Sequence, residues 1–233
     1  MGKIYTDYLA KSISFWKANS NNYSLPQVHG KKQGYEVATF NSTSKTSTPE
    51  QKDGLVIMGF NPSGAYPSSI ARTQLSPTFF EWDSYKGGTK AVDPYTQAVD
   101  QFAIDCEFQH NNYKLDAFGL LSFTQKSLEQ DIINNTRLYT PMFGLPISSI
   151  VQLSPKVILF VNGGLRRLLI DNGLFKEYVN QLQWDQNKCA YKITLSDCNG
   201  STIVCYGIFT TMLSGGHLDK GSREVLVQVI KNL

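Results

Sequence analysis

Leu55-Val56-Ile57-Met58-Gly59-Phe60-Asn61-Pro62-Ser63-Gly64 is the stretch on which the reading of this chain turns. Leu55 to Met58 form a short continuous apolar run, the signature of a strand covered on both faces of a mostly parallel sheet. Gly59, Pro62 and Gly64 end it. In open α/β sheets ligands bind in the crevice beyond the carboxyl ends of the strands, so a polar group in this turn faces the expected site. Asn61 is that group. An Asn-Pro pair also makes a tight turn for purely local reasons, and both readings stand on the tetrapeptide alone.

The flanking sequence supplies the other layers. Tyr8, Leu9, Ile13, Phe15 and Trp16 fall near helical spacing within Tyr5–Asn19, and Pro94 opens a helix to about Asp105 with Asp93 as its cap. A polar stretch, Ser20 to Gln51, precedes the first strand, and a long connection, Ser63 to Asp93, follows it. Leu115 to Phe123 reads as a second strand. Ser127 is a candidate cap, and Thr140-Pro141 opens a helical stretch through Ile147, Ile150, Val151 and Leu153 that Ser154-Pro155 stops. Val157 to Val161 reads as another buried strand, followed by Asn162-Gly163-Gly164 and a helix from Leu165 to Asp171. Asn172-Gly173 closes that helix, and Leu174 to Trp184 is expected to continue helical. Ala190–Leu195 and Thr202–Thr211 flank a turn, Asp197-Cys198-Asn199-Gly200, and read as a hairpin. Ser222 to Leu233 is expected to form a last helix with Val225, Leu226, Val229 and Ile230 on one face. Strands alternating with helices predict a three-layer α/β/α sandwich with a mostly parallel central sheet.

At 233 residues and 26.1 kDa the chain is expected to be one α/β domain. Such a chain buries about 70 to 75% of its unfolded surface, enough for a core without staples. The four cysteines, Cys106, Cys189, Cys198 and Cys205, form no CxxC pair, and His29, His110 and His217 are scattered, so neither zinc nor an iron-sulfur cluster is expected. No stretch reaches the ~20 apolar residues of a membrane helix, and no apolar leader follows Met1. The expectation is a monomeric cytoplasmic protein, nucleoid-associated in a bacterium, with reduced thiols and no cofactor. Net charge is +3, compatible with a polyanion, and residues 1–52 hold seven lysines against Asp7, Glu36 and Glu50.

Three predicted strands end in polar, glycine-rich turns: Gly59–Gly64, Asn162–Gly164 and Ser214–Gly221. Glycine lets backbone amides approach an anion or a planar ring, and a following helix adds partial positive charge. Neither a Walker sequence nor a GxGxxG after a strand is present, which argues against nucleoside triphosphates and dinucleotides. His217-Leu218-Asp219-Lys220-Gly221-Ser222-Arg223 has a phosphate-contact composition.

LVIMGFNPSG, SPKVILFVNGGLRRLL and FTTMLSGGHLDKGSRE, in that order, resemble the uracil-DNA glycosylase superfamily. There a G-x-[ND]-P motif ends the first core strand, a Pro-Lys-strand-Gly-helix unit follows, and a His- or Asn-headed loop ends the last strand. The likeness covers residues 53–233 and leaves the N-terminal helix and polar loop of residues 1–52 outside. It implies hydrolysis of the N-glycosidic bond of a deaminated or damaged, uracil-type base flipped from DNA. Asn61 would position the attacking water, with His217 donating to the base carbonyl. With an amide at position 61, catalysis would rest on stabilising an oxocarbenium-like sugar and an anionic leaving base. Gly59 and Phe60 would line the pocket through backbone groups, Phe79 or Phe80 would stack on the base, and Ser122 or Gln125 would read its edge. Ser63, Ser214, Gly215, Gly216, Lys220, Ser222 and Arg223 would contact DNA phosphates. The second motif lacks the family's proline, so either Ser214 or His217 takes its leading place. The same fold without hydrolysis, as a nucleic-acid or nucleotide-binding module, is the main alternative. A hydrolase of free nucleosides is the other.

Overall fold

A computed structural model describes residues 3–19, 22–23, 51–60, 94–119, 125–213 and 217–233. Its centre is a six-stranded sheet of order β2-β1-β3-β6-β5-β4. The strands are β1 (Leu55–Gly59), β2 (Asn112–Asp116), β3 (Val157–Val161), β4 (Val179–Asp185), β5 (Ala190–Ser196) and β6 (Thr202–Thr210). The first three and β6 pair in parallel, while β5 and β4 extend the sheet antiparallel. β1 and β3 are buried at every residue, as their unbroken apolar runs require for strands covered on both faces.

Six helices flank this sheet among the described residues: α1 (Lys3–Asn19), α2 (Pro94–Asp105), α3 (Gln125–Asn134), α4 (Thr136–Leu153), α5 (Gly163–Arg166) and α6 (Lys220–Lys231). A π-helical turn, Arg167–Asp171, continues α5. On one face Leu55, Ile57, Val157, Leu159 and Val161 pack with Val99 and Phe102 of α2 and Leu226, Val227 and Ile230 of α6. On the other, Val56, Met58, Ile158 and Phe160 pack with Leu128 and Ile132 of α3 and Phe143, Ile147 and Ile150 of α4, and α1 lies against α4. The layers are helix, sheet, helix. No described helix is long and apolar enough to cross a membrane.

Five expectations need correction. Leu174–Trp184 does not continue as helix: Gly173, at φ 58°, ends the π-helical turn, and Val179–Asp185 becomes edge strand β4, paired with β5. The missed signal is an Asx turn in which Asp185 Oδ1 accepts from the amides of Asn187 (3.0 Å) and Lys188 (3.2 Å), closing a second hairpin. The second strand begins at Asn112 rather than Leu115, its polar start held because Asn112 is buried and donates to the Phe108 carbonyl at 2.8 Å. Thr140-Pro141 does not open a helix, since α4 starts at Thr136 and carries Pro141 and Pro146 inside it. Each internal proline costs roughly 3 kcal/mol. The helix survives because its inner face, including Tyr139, Met142, Phe143, Ile147 and Ile150, is buried. In α6 the buried face is Leu226, Val227 and Ile230, while Val225 is 64% exposed. The first described residue of α3 is Gln125, which puts Ser127 within the helix rather than before it.

Candidate functional site

The strand order marks the place where an open α/β sheet is expected to receive a ligand. The chain passes from β1 to β2 on one side and then to β3 on the other, so the connections leaving β1 and β3 part at their carboxyl ends. β6 is parallel to β3 and lies next to it, with Val161 opposite Thr210. The carboxyl ends of β2, β1, β3 and β6 therefore form one row at one sheet edge, spanning roughly 15 Å at the usual strand spacing.

At the end of β3, Asn162 takes an extended backbone and caps α5, its Oδ1 accepting from the Gly164 amide at 2.7 Å. Its Nδ2 donates to Gln125 Oε1 at 2.6 Å, and Gln125 Nε2 donates back to Asn162 Oδ1. The two carboxamides thus form a closed pair joining the start of α3 to the end of β3. Gly164 fits between them and β1: a Cβ there would lie 2.6 Å from Gln125 Nε2 and 3.0 Å from Phe60 Cδ2. A side chain at 164 would push the amide pair from the Phe60 ring. Below it, Glu129 of α3 receives both arms of the Arg167 guanidinium, clamping α3 to the π-helical turn.

Asn162→Ala removes a cap and strands the Gln125 amide, together about 2 kcal/mol. Urea unfolding of this variant and of Asn162→Ala/Gln125→Ala checks it. The second substitution is expected to add little, and a loss under about 0.5 kcal/mol in the first would show the pair to be slack.

Phe60 is buried and packs on Phe118 at 5.3 Å between centroids. Its carbonyl and that of Gly59 accept from the Phe118 and Ala117 amides at 3.0 and 2.9 Å, extending the β1–β2 ladder. His217 is exposed, and its carbonyl accepts from Thr211 Oγ1 at 2.9 Å, just past the end of β6. Lys220 is exposed, 3.9 Å from Glu224. Ser222 is committed to the cap of α6, its amide and hydroxyl both donating to Asp219. These bonds hold the Asp219 carboxyl below its ordinary value. Arg223 is ion-paired with Asp105 and lies over the Phe102 ring, 5.5 Å from its centroid. It ties α6 to α2. Of the phosphate-contact set, both described cations are therefore ion-paired, Lys220 loosely at the exposed surface and Arg223 with Asp105. Asn61, Ser63, Phe79, Phe80, Ser122, Ser214, Gly215 and Gly216 lie outside the described residues.

Asp116, which sequence reasoning misses, ends β2 opposite Gly59, the last residue of β1. The expected strand Leu115–Phe123 puts it at the second residue of the strand, at the opposite end from the rim it occupies. Burial pushes its carboxyl above the ordinary value, and the Lys114 ammonium two residues back offsets part of that rise. The thiols of Cys106 and Cys205 are pushed up to about 12 by burial, too high for nucleophiles at neutral pH. Among the described residues no three His, Cys, Asp or Glu side chains are grouped to hold a metal ion. No known protein-family model matches the chain, and no curated protein is detectably similar to it.

Proposed function

We propose that the protein is a DNA glycosylase-like hydrolase that receives one flipped, uracil-type base at this rim and cleaves its N-glycosidic bond. The observation that carries the reading is the adjacency of β1, β3 and β6, all parallel, so that the strand ends after which the three glycine-rich stretches follow in sequence share a single sheet edge. A planar ring needs close backbone approach and polar groups at its edge, and the turns carrying Asn61, Asn162 and His217 supply both kinds of group. Hydrolysis needs a water directed at the sugar and polar stabilisation of the leaving base. In this reading Asn61 orients the water and His217 faces the departing base.

Oligonucleotides carrying single damaged or deaminated bases test it, comparing the intact protein with Asn61→Ala. Base release giving an abasic product is expected, with a loss of about 100-fold or more in the variant. Absence of abasic product at high protein concentration, beside a working control enzyme, would overturn the reading. Binding that weakens with salt but releases no base would favour the binding module instead. Turnover of free nucleosides alone would point to the small-substrate hydrolase.

A further inference from the structure

The carboxyl of Asp116 is directed across the end of β1. A Cβ placed on Gly59 would lie 2.2 Å from Asp116 Oδ1 and 3.4 Å from its Cγ, so the carboxyl occupies the space that glycine leaves bare. It therefore lies over the strand that leads, two residues on, to Asn61. Among the described residues, the groups that act on it electrostatically are Lys114, on its own strand, and the Tyr8 hydroxyl of α1. Asp219, the carboxyl of the segment after β6, is engaged as the cap of α6.

An amide cannot take a proton at neutral pH, so a hydrolytic turn headed by asparagine orients water but leaves its proton without an acceptor. We propose that Asp116, reaching over Gly59 from the neighbouring strand, is the general base of the hydrolysis at this rim. The inference rests on the glycosylase reading above. As the water oxygen bonds to the sugar C1′, the C1′–N bond breaks and its electron pair leaves with the base. The water proton passes to the Asp116 carboxylate, then on to the departing base or to solvent, which restores the site. A carboxyl held above its usual range is the stronger acceptor for this task.

The test is the pH dependence of single-turnover base release by the wild type, Asp116→Asn and Gly59→Ala. The wild type is expected to lose rate on acidification around an apparent pKa above the ~3.9 of a free aspartate. Asp116→Asn is expected to lose about 100-fold in rate and this acid limb with it, while its affinity for an oligonucleotide bearing a tetrahydrofuran abasic analogue changes less than about threefold. Its thermal stability should move the other way. A folded-state value raised above the unfolded one means that ionisation, as pH rises through that interval, takes stability from the native state. Asparagine carries no such loss, so at pH 8 this variant is expected to melt at or above the wild-type temperature. Gly59→Ala keeps the carboxyl but displaces it, and should lower the rate about tenfold or more on the same general-base scale. Asp116→Asn releasing base within threefold of wild type, with the acid limb intact, would overturn the role of Asp116 alone. Should that variant fail to fold, wild-type rate and acid limb in Gly59→Ala would overturn it. No release by the wild type would overturn the glycosylase reading itself, and this inference with it.

Discussion

Phe118→Ala is expected to cost about 4 kcal/mol of unfolding free energy, a drop of roughly 10 °C in Tm for a domain of this size. Phe118 is fully buried just beyond β2, with ring centroids 5.3 Å from Phe60, 5.8 Å from Phe143, 5.9 Å from Phe175 and 6.2 Å from Tyr139. Four aromatic neighbours from three segments converge on one ring, Tyr139 and Phe143 both coming from α4. Truncation removes the transfer energy of the ring and leaves a cavity, which the stiff surrounding rings cannot collapse to fill. Phe118→Leu, keeping most of the volume, is expected to cost less than half as much. Denaturant unfolding of both variants checks the pair, and a loss under about 1.5 kcal/mol for alanine would mean that the cluster repacks freely. Phe118 also donates its amide to the Phe60 carbonyl, so the cluster forms the floor beneath the carboxyl end of β1.

The second large effect is at the clamp between α3 and the π-helical turn. Arg167→Ala is expected to destabilise by about 2 to 3 kcal/mol, because the carboxylate of Glu129, with its side chain 9% exposed, loses its bidentate partner. The guanidinium side is half exposed, so water screens the pair and the cost falls below that of a fully buried bridge. The Glu129 hydrogen bonds also raise the Arg167 guanidinium further above its ordinary value, so it stays charged throughout the accessible pH range. Arg167→Met/Glu129→Leu is expected to recover most of the loss, since an apolar pair of similar volume carries no desolvation cost. A double-mutant cycle in urea measures this. Additive losses in the double variant would show that the two side chains act separately. The clamp holds together the helices whose first residues carry Gln125 and the segment after Asn162, so loosening it should also loosen the amide pair at the rim.

Legibility differed by element, for physical reasons. β1 and β3 were readable because burial on both faces demands continuous apolar residues, a pattern written in four or five consecutive positions. α2 was readable from Pro94, and the β5–β6 hairpin from a turn whose Asp197 Oδ1 accepts from the amides of Asn199 (2.9 Å) and Ser201 (2.8 Å). β4 was not. Its residues are mostly exposed and polar, and they are extended because the edge of β5 offers backbone partners, which is a property of another segment. α4 runs through two prolines because the core it covers outweighs their local cost.

The candidate site divides in the same way. Asn162 could be picked out at the end of β3 from its place after an apolar run and ahead of a helix, while Asn61 lies outside the described residues. Asp116 could not, because its role depends on where β2 stops and on the missing side chain of Gly59 across from it. Arg223 and Ser222 look like anion ligands as sequence, yet Asp105 and Asp219 engage them in the folded chain.

Hydrophobic periodicity, capping residues and turn chemistry are local properties, and they were enough to establish an α/β chain with buried parallel strands and polar turns at their ends. The order of the strands, the identity of the sheet edges and the partners of each charged group come from pairings between residues tens of positions apart. Those pairings depend on three-dimensional packing, so the tertiary structure alone set Asp116 beside Gly59 and drew Arg223 away to Asp105.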